Sequence, residues 1–105
     1  AADRQLQAAL RIDPELMRAR GLRGMILARS NDKEQAVHEF TQAGIRQEEI
    51  HANLALAMIL NGDIEAATTS IEAAESLNPS RELTQRLAQY RQAISQAGNS
   101  PDAAN

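Results

Sequence analysis

The 105-residue chain overlays on itself at an offset of 31 residues: Leu27, Asn31, Ala36, Phe40 and Ala43 return as Met58, Gly62, Ala67, Ile71 and Ala74. Such a period marks an array of one supersecondary unit, here a helical hairpin, which cannot bury its apolar face alone and stacks on its neighbours. An earlier partial copy is also present, since Ala2, Leu6, Ala9 and Pro14 match Ala67, Ile71, Ala74 and Pro79 at an offset of 65, which is 31 plus 34. The natural unit is therefore about 34 residues long, shortened once.

Start and stop signals divide this repeat into helices. Asp13-Pro14 and Asn78-Pro79 each join a capping side chain to a residue whose missing N–H costs nothing in a helix's first turn, so each is expected to open a helix. Asn31 and Gly62 end apolar-rich stretches and precede Asp32 and Asp63. Both residue types tolerate the left-handed backbone of a helix stop, which predicts a tight turn inside each hairpin. Helix-period apolar spacing then predicts six helices, over 2–12, 15–29, 33–44, 48–60, 64–77 and 80–97, followed by a polar, disordered tail over 98–105. The first of these corresponds to the second half of a hairpin, so Leu6, Ala9 and Leu10 would lack an N-terminal neighbour. Together with a start at Ala-Ala-Asp, this creates the expectation of a segment taken from a longer chain. In 80–97, Leu83, Leu87, Tyr90 and Ile94 form a narrow stripe on a polar helix, as expected of a cap that covers the last hairpin.

Composition narrows the chemistry. Phe40 and Tyr90 are the only aromatic residues, so the core is expected to consist of Ala, Leu, Ile and Met, with small residues allowing close helix approach. There is no cysteine, and the longest apolar run, Leu54 to Leu60, is seven residues against the roughly 20 of a membrane helix. Residues 1–33 carry net charge +3 and residues 34–105 carry −6, a gradient that could orient a charged partner or simply reflect solvated helix faces. The two histidines, His38 and His51, form no ligand pair, and no phosphate-binding glycine loop or serine elbow occurs. Catalytic, metal and cofactor sites are therefore not expected. Six arginines fall within the first 29 residues, but net acidity and scarce aromatics argue against nucleic acid as partner. The pair Glu48-Glu49 is explained by the positive end of the helix it begins.

The stretch from Glu48 to Pro79 resembles a tetratricopeptide repeat through Asn53-Leu54-Ala55, Met58, Gly62-Asp63-Ile64, Ala66-Ala67, Ile71, Ala74 and Pro79. A second copy, from Met17 to Gln47, resembles it through Arg23-Gly24, Leu27, Asn31, Ala36, Phe40 and Ala43. The resemblance implies an all-α, right-handed superhelical solenoid of antiparallel hairpins over 1–97: the second helix of an incomplete repeat (1–16), a short repeat (17–47), a repeat (48–79) and a capping helix (80–97). Small residues at Gly24, Ala36, Ala43, Ala55, Ala67 and Ala74 would lie where helices touch, with Phe40 and Ile71 between hairpins. There are departures. The short repeat lacks the terminal proline, Ala43 to Gln47 replaces a longer connection so that its second helix should end early, and Arg20 and His51 stand where an aromatic is common.

The resemblance further implies a concave groove that receives an extended peptide or a partner helix. Its candidate residues are Arg18, Leu22, Met25 and Arg29 from one copy and Glu49, Asn53, Leu56 and Leu60 from the next. Asn53 stands where carboxylate-gripping members use an Asn, but Glu49 takes the place where such members want a cation. The function implied is that of a non-catalytic scaffold or adaptor for a protein or peptide. Alternatives are a structural spacer or self-association module, acting through an exposed terminal helix, and an assembly factor of a bacterial pilus or secretion system. A cytoplasmic or a bacterial envelope location would suit these.

Overall fold

Five helices account for most of residues 13–98, which the computed structural model describes: α1 (Pro14–Arg29), α2 (Lys33–Gln42), α3 (Gln47–Leu60), α4 (Ile64–Glu75) and α5 (Arg81–Gly98). No strand occurs among the described residues. The chain divides between Arg46 and Gln47 into two units, α1–α2 and α3–α5.

Asp13 opens α1 as the sequence requires: its carboxylate accepts from the Leu16 N–H at 3.0 Å, with Pro14 as the first helical residue. Residues 14–16 thus belong to α1 and not to a preceding helix. At the other end Asn31 takes the left-handed conformation, φ 63°. Its N–H donates to the Ala28 carbonyl at 3.1 Å, and the Asp32 N–H reaches back to Leu27 at 2.9 Å. This pair of bonds satisfies the last carbonyls of the helix. Asp32 then caps α2, accepting from the Gln35 N–H at 3.4 Å.

The second unit repeats this turn. Gly62, φ 79°, donates to Ile59 at 3.0 Å, Asp63 N–H donates to Met58 at 2.8 Å, and the Asp63 carboxylate caps α4 through the Ala66 N–H at 3.1 Å. One left-handed residue followed by one aspartate thus stops the first helix and starts the second in both hairpins. The same stop closes α2: Gly44, φ 78°, donates to Thr41 and Ile45 donates to Phe40. For that reason α2 ends at Gln42, two residues short of the predicted 33–44.

The boundary between α4 and α5 differs from the expected one. Asn78 does not cap α5; it adopts φ 53° after α4, which ends at Glu75 and not at residue 77. Ser80 is the cap, its hydroxyl accepting from the Leu83 N–H at 3.1 Å and its carbonyl from Thr84 at 2.8 Å, and Pro79 lies outside the helix. A single asparagine cannot both stop one helix and cap another two residues later, and the serine takes the second task. The predicted helix over 2–12 and tail beyond Gly98 lie outside the described residues.

In the first unit, Met17, Gly21, Gly24 and Ala28 recur at helix spacing along one side of α1. Gly24 and Ala28 are buried against α2, whose Ala36 and Phe40 are fully buried. Phe40 packs on α1 of its own hairpin, its ring standing so close that a Cβ on Gly24 would meet Cε1 at 2.6 Å. Met17 and Ile45 close the open end of the pair, beside Gly44 and Gly21. In the second unit Ala52 and Ala55 of α3, Ile71 and Ala74 of α4, and Leu83 and Leu87 of α5 form one buried cluster, with Tyr90 and Ile94 packed on its edge. The expected stripe of α5 is therefore the face that seals the hairpin. Arg91 of α5 fixes this docking from outside with a forked pair to Glu75 of α4, at 2.6 and 3.2 Å. The Arg91 hydrogen bond holds the Glu75 carboxyl below the usual carboxylate range.

Candidate functional site

The eight groove candidates fall into two stripes, each spaced i, i+4, i+7, i+11, so each occupies one side of a helix. On α1, Arg18, Leu22 and Arg29 are exposed and Met25 is half-buried. On α3, Glu49 and Leu60 are exposed while Asn53 and Leu56 are half-buried. The two stripes belong to different units.

Asn53 is the residue with the most developed surroundings. Its carboxamide oxygen accepts from Arg86 Nη2 of α5 at 3.1 Å. The same guanidinium donates twice to the Tyr90 hydroxyl, from Nη2 at 3.0 Å and from Nε at 3.2 Å, and its Cζ lies 5.7 Å from the centre of the Tyr90 ring. Arg86 and Tyr90 are one turn apart on α5, which is what lets the guanidinium lie over the ring while reaching the hydroxyl. The leucines at 83 and 87, facing the cluster of α3 and α4, place α5 so that Arg86 meets Asn53.

Two properties follow from this geometry. The guanidinium is fixed in place by two acceptors, which reduces the side-chain entropy that a contact to it would cost. Both acceptors are uncharged, and among the described residues no carboxylate pairs with Arg86. Nη1 retains two N–H groups for a further acceptor. On the same side of α3, one turn from Asn53 in either direction, Leu56 offers an apolar side chain and Glu49 a negative charge at the start of the helix.

The first unit carries a different feature. Leu16, Ala19, Arg20 and Arg23 of α1 and Glu39 of α2 line a depression of about 260 Å³. Arg20 Nε is buried there without a hydrogen-bond partner among the described residues. Further along α1, Leu22 and Ile26 are 62% and 67% exposed.

No family model, curated protein or solved structure matches the chain.

Arg86 and Tyr90, which surround Asn53, are not among the residues expected from the sequence. Tyr90 was legible only as part of an apolar stripe and Arg86 only as one of several polar residues. Their i, i+4 spacing on the capping helix was the available signal, because Arg and Tyr one turn apart can stack. Ile26 was missed for a simpler reason: a large apolar residue on a helix is normally read as core. His38 is exposed and His51 half-buried, and among the described residues no group of three or more His, Cys, Asp or Glu could hold a metal. Among the same residues no helix is long and apolar enough to cross a membrane.

Proposed function

We propose that the chain is a helical-repeat module of tetratricopeptide type that holds a segment of another protein, with no catalytic role. The observation that carries this reading is Arg86 oriented by two uncharged acceptors, Asn53 and Tyr90, with Leu56 one turn along α3 from Asn53. Such a surface favours a segment carrying a carboxylate or a backbone carbonyl for Arg86 and an apolar side chain for Leu56. The Asn53 oxygen is already engaged, so Asn53 contributes by positioning Arg86 and through its amide N–H groups. The repeat reading is supported by the identical stop-and-cap chemistry of Asn31-Asp32 and Gly62-Asp63, and by buried small residues at Gly24, Ala36, Ala43, Ala55, Ala67 and Ala74. In that reading the hairpins belong to a right-handed superhelix and α5 is its cap.

Panning a random peptide display library on the immobilised chain, with the double variant Leu56→Glu, Arg86→Gln as counter-target, tests the proposal. Enriched sequences combining an acidic and an apolar residue, and lost on the folded variant, support it. Equal enrichment on both proteins would remove the α3–α5 surface as the site.

A further inference from the structure

The turn between α3 and α4 is the one place among the described residues where an asparagine precedes a glycine. Asn61 and Gly62 are both exposed, and with Asp63 they are all that separates Leu60 from Ile64. An asparagine carries its own electrophile, the side-chain carboxamide carbon, within five-membered-ring distance of the backbone nitrogen of the next residue. Attack by that nitrogen is hindered by the next residue's side chain, and glycine has none. A Cβ at position 62 would itself meet no atom within 4 Å, so nothing packs over this side of the turn.

The other described asparagines lack this combination. Asn31 precedes Asp32, whose side chain stands beside the nitrogen; Asn53 lies inside α3, before the buried Leu54; Asn78 precedes Pro79, which has no N–H to give up. In the first hairpin Ser30 holds the place of Asn61, so the matching turn cannot react in this way. The folded turn restrains the reaction. The Gly62 N–H donates to the Ile59 carbonyl at 3.0 Å and the Asp63 N–H to Met58 at 2.8 Å, so both amides are committed to ending α3. The Gly62 nitrogen is released only when the turn opens, and an exposed helix stop held by two such bonds opens locally, without global unfolding.

We infer that Asn61-Gly62 is a self-modification site whose rate is set by opening of the α3–α4 turn. In the opened turn the Gly62 nitrogen forms a bond to Asn61 Cγ, the Cγ–Nδ2 bond breaks, and ammonia leaves with the proton from Gly62. Water then opens the resulting succinimide at either carbonyl, giving aspartate or isoaspartate at position 61. Either product places a carboxylate at the negative end of the α3 dipole, two residues from the Asp63 cap. Isoaspartate also lengthens the main chain by one methylene, which shifts the Gly62 and Asp63 amides away from their acceptors. The hairpin that carries Asn53 and Leu56 is thereby weakened with age. The inference is independent of whether that surface binds a peptide.

Peptide mapping by mass spectrometry of the full chain, aged at body temperature and mildly alkaline pH both natively and in guanidinium chloride, tests it. In denaturant, Asn61 is expected to convert ahead of Asn31, Asn53 and Asn78. In the native chain it should still convert ahead of those three, but at least about tenfold more slowly than in denaturant, which corresponds to an opening free energy of about 1.4 kcal/mol. Asp63→Ala removes the α4 cap without touching the Asn-Gly bond. It should raise the native rate about fivefold, the equivalent of a cap of about 1 kcal/mol, and leave the denatured rate unchanged. The isoaspartate form, separated chromatographically, should melt below Asn61→Asp, whose main chain keeps its length. No conversion at Asn61 in the native chain, equal rates in the native and the denatured chain, or a native rate indifferent to Asp63→Ala would each overturn the inference.

Discussion

The Phe40 ring occupies the space that a side chain on Gly24 would need: Cε1 and Cδ1 lie 2.6 and 2.7 Å from the position of a Cβ there. Both residues are buried, and Phe40 is wholly enclosed, so the ring can yield only by displacing its neighbours in the core. Close approach of α1 and α2 thus depends on one missing methyl group. Gly24→Ala is expected to destabilise the protein by about 1–2 kcal/mol, an overpacking cost partly offset by alanine's better helix propensity. Urea denaturation measures it. Phe40→Leu in the Gly24→Ala background should cost less than the sum of the single changes, and strict additivity would contradict the contact.

The hairpin stops give a second expectation. Gly62 adopts φ 79° with no atom within 4 Å of a Cβ placed there, so a side chain meets only backbone strain. Gly62→Ala should cost about 1–2 kcal/mol, and Gly62→Asn distinctly less, since Asn31 fills the equivalent place in the first hairpin. Equal losses for the two substitutions, read from thermal midpoints, would count against the left-handed turn.

Arg86, Asn53 and Tyr90 should behave as one unit. Tyr90→Phe and Asn53→Ala each remove one acceptor from a half-buried guanidinium and should cost about 0.5–1.5 kcal/mol. In a double-mutant cycle the pair should show coupling above about 0.5 kcal/mol, because either acceptor helps to hold the group that serves the other.

The Glu75–Arg91 pair predicts a pH dependence of definite sign. Its hydrogen bond to Arg91 lowers the Glu75 carboxyl in the folded chain, so folding favours the ionised form. The stabilisation is present above the unfolded-state value near 4.5 and is lost as pH falls through the lower folded-state value. Both side chains are almost half exposed, so solvent screening limits the effect to about 0.5 kcal/mol. Comparing wild type with Glu75→Gln, a difference in stability that is present at pH 6 and vanishes at strongly acid pH is expected. A difference that persists there would assign it to something other than this ion pair.

Much of the fold was legible because each helix carries its own signals. Asp13-Pro14, Asn31-Asp32 and Gly62-Asp63 act within four residues of themselves, and the structure places a cap or a stop at each. Asn78 was misread because two local signals overlap: an asparagine before proline suits a cap, yet the serine two residues on takes that role and frees Asn78 to end α4. The candidate site was half legible. Asn53 and Leu56 follow from position on α3, but Arg86 lies 33 residues away and meets Asn53 only because Leu83 and Leu87 seat α5 against the hairpin. A contact set by tertiary packing leaves no mark in local spacing.

On the function proposed above, the surface around Asn53, Leu56 and Arg86 holds a partner segment. The most direct measurement is the affinity, by isothermal titration calorimetry, of a peptide enriched by display for the wild type, Leu56→Glu and Arg86→Gln, with helix content checked by circular dichroism. At least about tenfold weaker binding to each variant at unchanged helicity is expected, equivalent to about 1.4 kcal/mol. Undiminished affinity in both variants would contradict it and place the partner elsewhere on the chain.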